Sequence, residues 1–163
     1  MTIIYSDTFK NLQTLSTTHT SSQTSSSSAN TFITLNGSEI TYEPYSGASK
    51  VIYEISFYCE KINTYTFLVA HLESADVGNT NWSEINSKFR RNFGDYVYSS
   101  QSRRWYTTLK FIVPTWSGQK QLRLRIAHPG NNNETVFHQM SEWDGVGSVT
   151  NKFCDTNLLV YSI

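Results

Sequence analysis

Apolar and polar residues alternate along most of the chain after its first thirty or so positions, as they do in strands with one buried face. In the segment SKVIYEISFYCE, every second residue from Val51 to Cys59 is apolar. The segment QKQLRLRIAH alternates most regularly, with leucine or isoleucine on one face and arginine on the other. Stretches typical of turns, such as PYSGAS and PTWSGQK, separate these runs. The pattern predicts an all-β protein, an antiparallel sandwich or barrel with little or no helix.

One stretch, residues 79–94, also fits a helix. Trp82, Ile85, Phe89 and Phe93 recur at the spacing of one helical face. The strand alternation there is less regular than elsewhere. We expect a strand followed by a loop in preference to a short helix.

The final segment, NLLVYSI, is apolar on both of its faces. Leu158 and Val160 point one way, whereas Leu159, Tyr161 and Ile163 point the other. A strand that is apolar on both faces is typical of one covered on both sides, in the middle of a sheet. A single sandwich covers one face of each strand, so the second face predicts a contact between subunits. The predicted interface residues are Ile52, Tyr58, Leu159, Tyr161 and Ile163.

The first 31 residues differ in composition from the rest. A short strand candidate is followed by the Ser/Thr-rich stretch from Ser16 to Thr31, which has too few apolar residues to order itself. We therefore divide the chain into an N-terminal strand and arm, 1–31, and a β-sandwich head, 32–163. If the arm is ordered, either the head itself or a neighbouring chain must hold it.

Composition restricts the function classes. The 163 residues suit one domain, and 13 basic against 13 acidic residues give no net charge to attract nucleic acid. No apolar run is long enough for a membrane span, and the first residues lack the pattern of a signal peptide. We expect no nucleic-acid partner, no membrane insertion and synthesis without a signal peptide. The two cysteines, Cys59 and Cys154, are expected to be free thiols rather than a disulfide.

Motifs that carry enzyme chemistry are not found in the sequence. The four histidines lack metal-ligand spacing, and neither a nucleophile elbow nor a phosphate-binding loop occurs. His71, on an apolar strand face, is interpreted as a core histidine with satisfied hydrogen bonds. We expect a non-enzymatic protein without a cofactor or a metal.

Two polar segments are candidates for ligand binding. RRNFGDYVYSSQSRRWY interleaves arginines with aromatic rings, a combination that suits sugars, sulfated glycans or stacked bases. HQMSEWDG brings a histidine, a tryptophan and acids into one segment at the end of the sandwich. The alternatives are a solvated loop for the first and a tryptophan that caps the sandwich for the second. The candidate residues are Arg90, Arg91, Arg103, Arg104, Trp105, Tyr106, His138, Trp143 and Asp144.

Four segments together resemble a known class of domain: ITYEPYSGASKVIYEISFYCE, WSGQKQLRLRIAHPG, HQMSEWDG and the final NLLVYSI. They are similar to the β-jelly-roll head domains of viral fibres and virion structural proteins in aquatic viruses, whose broader relatives are the trimeric C1q/TNF-like knobs. The resemblance covers residues 40–163. It implies jelly-roll topology, a homotrimer with its last strand near the three-fold axis, and a place in the virion. The chain departs from this pattern in lacking a collagen-like or coiled-coil stalk.

The resemblance implies a non-enzymatic virion protein, made in the host cell. Residues 1–31 would attach it to other virion proteins, and loops at the end of the head would bind the host surface, with a glycan as candidate partner. Two alternatives are a monomeric carbohydrate-binding module or lectin and a capsid cement protein without a receptor role. A hydrolase ranks below both.

Overall fold

Residues 10–25, 28–61, 68–86, 90–93, 104–129, 134–143, 145 and 149–163 are described by a computed structural model. Their regular structure consists of β-strands with antiparallel pairing, so the predicted all-β antiparallel sandwich is confirmed. The strands are β1 (Lys10–Thr17), β2 (Gln23–Thr24), β3 (Ile33–Thr34), β4 (Ile40–Tyr42), β5 (Lys50–Lys61), β6 (Leu68–Asp76), β7 (Ser83–Glu84), β8 (Arg91–Phe93), β9 (Arg104–Pro114), β10 (Lys120–Ala127), β11 (Thr135–Phe137), β12 (Gln139–Trp143), β13 (Val149–Phe153) and β14 (Thr156–Ser162).

The first sheet is built around β5, its longest strand. β9 pairs with β5 along one edge, from Lys50 opposite Pro114 to Glu60 opposite Arg104. Two strands share the other edge of β5: β14 beside residues 51–56 and β11 beside residues 59–61. β1 pairs with β14, and β2 pairs with β11. β14 therefore lies between β1 and β5, which confirms the prediction that the final strand is internal to a sheet.

The second sheet is centred on β10 and β6, which pair over their full overlap. β3 and β4 pair with the far edge of β10, while β7 and β8 pair with the far edge of β6. Among the described residues of the stretch 79–94, residues 83–84 form β7 and residues 91–93 form β8, so a strand is found in the region where one was expected. Residues 87–89 and 94 lie outside the described residues. β12 and β13 form a separate hairpin, which leaves the first sheet where β11 ends.

The core fills the space between the two sheets. The residues predicted to alternate inward from β5 and β10 are fully buried, which confirms the sequence pattern. Phe57 makes edge-on contacts with Phe93 of the second sheet and with Phe137, at centroid distances of 6.0 and 6.1 Å. Each side chain of this kind contributes about 1.5–3 kcal/mol when it is buried. The largest fully buried side chains are Tyr42, Tyr53, Phe57, Phe111 and Phe137, with Leu35, Ile52, Ile55, Leu68, Leu122 and Leu124.

Part of the N-terminal arm belongs to the first sheet. Residues 10–17 and 23–24 form β1 and β2, and the segment between them crosses from β14 to β11. Of the two alternatives for holding the arm, the chain's own sandwich therefore holds these residues.

The two cysteines are free, as expected. Both are buried, with Cys59 in the core between the sheets. Burial raises the pKa of the Cys59 thiol well above its usual value. Within the described ranges, no helix has the length and apolar character needed to cross a bilayer.

Candidate functional site

The arginine-rich candidate segment is divided between the two sheets. Arg90 forms a bidentate pair with Glu84, with nitrogen–oxygen distances of 2.9 and 2.7 Å. The Arg91 guanidinium lies 5.8 Å from the centre of the Phe111 ring. Arg104, on β9 of the other sheet, bonds Glu60 at 2.9 Å. These arginines therefore have partners within the chain.

Trp105 and Tyr106 point to opposite sides of β9. Trp105 packs against the core, whereas the Tyr106 side chain is 65% exposed on the outer face, beside Tyr58. The structure thus does not bring these two rings together as one platform. Arg103 lies outside the described residues.

The second candidate segment falls at the base of the β12–β13 hairpin. His138 is fully buried and has a φ of 66°, a conformation that histidine tolerates better than most residues. The backbone N–H of His138 donates to Tyr58 O at 3.0 Å, and its backbone carbonyl accepts from Cys154 N at 2.8 Å. We call this place, where β11 turns into β12 and β13 returns to β14, the strand junction. Trp143 ends β12, but its side chain and the whole of Asp144 lie outside the described residues.

A stacked pair of histidines occupies the strand junction. The rings of His19 and His138 are almost parallel, at an angle of 10° and a centroid distance of 3.8 Å. The Thr156 hydroxyl lies 2.9 Å from His19 Nε2 and 3.1 Å from His138 Nδ1. Because it carries one proton, it donates to one ring and accepts from the other. His138 Nε2 is buried without a hydrogen-bond partner among the described residues.

Burial, and then the nearby His19, lower the pKa of His138 to about 3. Burial also lowers the pKa of His19, although the charge of Asp155 opposes this shift. A buried imidazole with such a low pKa is poorly suited to general acid–base work near neutral pH. The role that the contacts support is structural: the ring stacking and the shared Thr156 hydroxyl tie the segment after β1 to the strand junction. No group of three or more histidine, cysteine or acidic side chains in the described ranges is arranged to hold a metal.

A groove that the sequence analysis did not identify lies at one end of the sandwich. Loop 43–49 joins β4 to β5, and loop 115–119 joins β9 to β10. The groove between them has a volume of about 390 Å³ and is lined by residues 43–47 and 115–118. Tyr45 and Trp116 are half-buried in its walls. The lining combines aromatic carbon with hydroxyl groups and the Glu43 carboxylate.

A signal for this groove was present in the sequence. The tripeptides Tyr45-Ser-Gly and Trp116-Ser-Gly occur in two turn segments, where an aromatic ring has no strand face to cover. The two tripeptides indicate a shared site only if their loops lie next to each other in the fold. Which loops are neighbours depends on which strands pair, and the alternation of apolar residues does not specify the pairing.

The residues predicted to form a subunit interface lie on the outer face of the first sheet or at its edge. Ile52, Tyr58 and Tyr161 are only 2%, 3% and 8% exposed within the single chain. Leu159 is half-buried, and Ile163 is 38% exposed. The burial of the first three is supplied by the chain itself, so it gives no evidence for a partner. The interface stays a prediction.

No model of a known protein family matches the chain, and no curated protein is significantly similar to it. The resemblance to viral head domains therefore depends on the four sequence segments alone.

Proposed function

We propose that the chain is a non-enzymatic structural protein of a virus particle, a jelly-roll head that meets the host surface through the loops at one end. The groove between loops 43–49 and 115–119 carries the attachment part of this proposal. Loops anchored on a rigid sheet scaffold are a common place for binding residues. The virion part is supported by the sequence resemblance.

The scaffold behind the groove supports a binding role. Ser49 N and Lys50 N both donate to Ile163 O, at 2.7 and 3.1 Å, and Tyr42 OH donates to Ser162 Oγ at 2.9 Å. The end of β14 thereby holds loop 43–49 at both of its ends. A loop fixed in this way loses little conformational entropy when a ligand binds.

Antibody labelling of intact particles tests the virion part. An antibody against the chain is expected to label the outside of particles in electron micrographs of cultures that express it. Labelling that appears only after the particles are opened would favour a capsid cement protein instead. Cultures that make the chain but place none of it in particles would overturn the virion role.

A homotrimer is part of the same proposal. Ile112 and Ile163, at 47% and 38% exposed, are apolar groups that the single chain leaves open on or beside the outer face of the first sheet. Sedimentation equilibrium of the full chain is expected to give three times the monomer mass. A monomer at micromolar concentration would remove the trimer.

The groove also favours a second candidate function, a carbohydrate-binding module that works as a monomer. A monomeric chain that binds saccharide and is not found in particles would favour this candidate. Multivalent attachment through several weak sites would be specific to the particle-bound form.

A further inference from the structure

The two loops that border the groove are brought together by strand pairing at both of their ends. Lys50 of β5 pairs with Pro114 of β9 in the first sheet, and Tyr42 of β4 pairs with Lys120 of β10 in the second. Each loop therefore crosses from one sheet to the other beside its neighbour, in the opposite direction. This register places the Tyr45-Ser-Gly and Trp116-Ser-Gly turns at the same end of the sandwich.

The matching glycines fit the matching turns. Gly47 and Gly118 have φ values of +96° and +75°, which residues with a side chain rarely adopt. A Cβ on Gly118 would meet nothing within 4 Å, so conformation rather than space requires glycine there. In each loop, the glycine turn follows two residues after the aromatic residue. Tyr45 and Trp116 both line the groove.

Both aromatic residues are held in place by the surrounding chain. Tyr45 N donates to Ser162 Oγ at 3.4 Å, and Lys10 Nζ lies 4.9 Å from the centre of the Tyr45 ring. Trp116 packs edge-on against the buried Tyr42, with centroids 6.2 Å apart. Trp116 Nε1 is buried, so the part of the indole that is exposed consists of carbon. Two prearranged aromatic walls of this kind can pack against the C–H groups of a sugar ring.

The polar part of the lining favours a neutral saccharide. Glu43, Ser46 and Ser117 are exposed and offer a carboxylate and two hydroxyl groups to sugar hydroxyls. The Glu43 carboxylate and the Lys10 ammonium beside Tyr45 give the groove no excess of either charge, which favours a neutral ligand over a sialylated or sulfated one. The volume, about 390 Å³, is near the lower end for ligand pockets, which limits the ligand to a short saccharide.

We infer that the groove is a binding site for a neutral saccharide, with Tyr45 and Trp116 packing against the sugar and Glu43 accepting hydrogen bonds from its hydroxyl groups. This inference rests on the proposed attachment function and names its ligand class. It moves the predicted glycan site from the Arg–aromatic segment to the opposite end of β9.

The test uses the full chain, immobilised at high density, and an array of neutral, sialylated and sulfated oligosaccharides with a proline-rich peptide for comparison. Neutral oligosaccharides are expected to bind, and both Tyr45→Ala and Trp116→Ala are expected to weaken binding by a factor of about ten or more. Tyr106→Ala is the matched control, because this exposed ring lies at the far end of β9. It is expected to leave binding unchanged.

A second measurement separates loss of binding from loss of folding. The indole N–H signal of Trp116 in the native chain, assigned with Trp116→Phe, is expected to shift when the neutral saccharide is added. No binding to the neutral set, binding that Tyr106→Ala abolishes but Trp116→Ala spares, or binding of the peptide alone would each overturn the inference. If particles are labelled but no saccharide binds, the virion role stands and the saccharide site is wrong. If saccharide binds but particles are not labelled, the saccharide site stands and the virion role is wrong.

Discussion

The imidazole rings of His19 and His138 are stacked face to face, 3.8 Å apart, and share the hydroxyl of Thr156. His19 follows the edge strand β1, whereas His138 lies where the β12–β13 hairpin leaves the first sheet. The contact therefore fastens the crossing between β1 and β2 to the strand junction. Since both rings are close together and His138 is fully buried, protonation of the pair is unfavourable in the folded state.

The folded protein is expected to lose stability as the pH falls below 6.5. The pKa of His138 is about 3 in the fold, against an ordinary value of 6.5, so the unfolded chain takes up the proton first as the pH falls. The contribution is present above pH 6.5 and is lost progressively between 6.5 and 3. Between pH 7 and pH 5, the free energy of unfolding should fall by about 2 kcal/mol from this group. Urea denaturation at a series of pH values measures it.

His138→Asn is the variant that isolates this effect. Asparagine tolerates the left-handed backbone conformation at this position and can still bond Thr156, but it does not titrate. The variant is expected to show a flatter dependence of stability on pH above pH 5, where most carboxylates stay charged. An unchanged slope would mean that His138 does not cause the pH dependence.

Gly37 is expected to be more sensitive to a side chain than Gly78. Their φ values are similar, +77° and +81°, so alanine suffers comparable backbone strain at both positions. A Cβ on Gly37 would lie 3.0 Å from Thr17 Cβ and 3.1 Å from Thr156 Cβ, whereas one on Gly78 meets nothing within 4 Å. Gly78→Ala should cost about 1–2 kcal/mol. Gly37→Ala should cost a further 1–3 kcal/mol or so because of overpacking.

The comparison of the two glycine variants is made by chemical denaturation under identical conditions. Equal losses of stability would show that the strand next to Gly37 moves aside at little cost. That result would contradict a rigid contact between β1, β14 and the turn that contains Gly37.

Alternation predicted the strands well because it records a local property, which face of each strand is buried. In β10, the fully buried Leu122, Leu124 and Ile126 alternate with half-buried residues as the sequence indicated, whereas β5 is also buried on its second face, at Ile52 and Tyr58. The central position of β14 followed from the same property, since residues on both of its faces are apolar. An apolar second face does not by itself require a partner subunit. Tyr161, for example, packs within its own chain, where Lys110 Nζ donates to its hydroxyl at 3.4 Å.

The candidate sites were harder to predict because they depend on contacts between distant parts of the chain. Arg91 and Arg104 are near in sequence, yet they belong to different sheets. Tyr45 and Trp116 are far apart in sequence, yet their loops are neighbours because β5 pairs with β9. Strand pairing determines these contacts, and the pattern of apolar residues does not specify which strands pair.

Glu73 holds a network of charges on the outer face of the second sheet. It bonds Arg123 at 2.7 Å and His71 at 3.2 Å, and Arg125 Nε lies 4.0 Å away. Burial works against the charged carboxylate, but hydrogen bonds from Arg123 and His71 outweigh it and hold the pKa of Glu73 below its usual value. The stabilisation is therefore present above a pH of 4.5 and is lost as the pH falls further.

Glu73→Gln should lower the free energy of unfolding at neutral pH by about 1–3 kcal/mol, because two half-buried guanidinium groups lose their counter-charge. Glu54→Gln is the matched control, since Glu54 pairs with the more exposed Lys110 at 3.3 Å. The control should change stability by about 0.5 kcal/mol or less. Similar losses in both variants would show that the network adds nothing beyond an ordinary surface pair.

The buried hydroxyl of Tyr53 is expected to contribute more to the free energy of unfolding than the hydroxyl of Tyr106, a residue that is 65% exposed. Tyr53 OH donates to Ser38 O at 2.6 Å, and Leu124 N donates to Ser38 Oγ at 3.2 Å, so Ser38 connects the two sheets. Burial raises the pKa of Tyr53, which keeps its phenol a donor into alkaline solution.

Tyr53→Phe leaves the Ser38 carbonyl without this donor in the core and should cost about 1–3 kcal/mol in urea denaturation. Tyr106→Phe, which alters a side chain that is 65% exposed, should change stability by about 0.5 kcal/mol or less. A loss no larger for Tyr53 than for Tyr106 would mean that the core rearranges to satisfy Ser38 in another way. The connection between the sheets would then depend on apolar packing, not on this hydrogen bond.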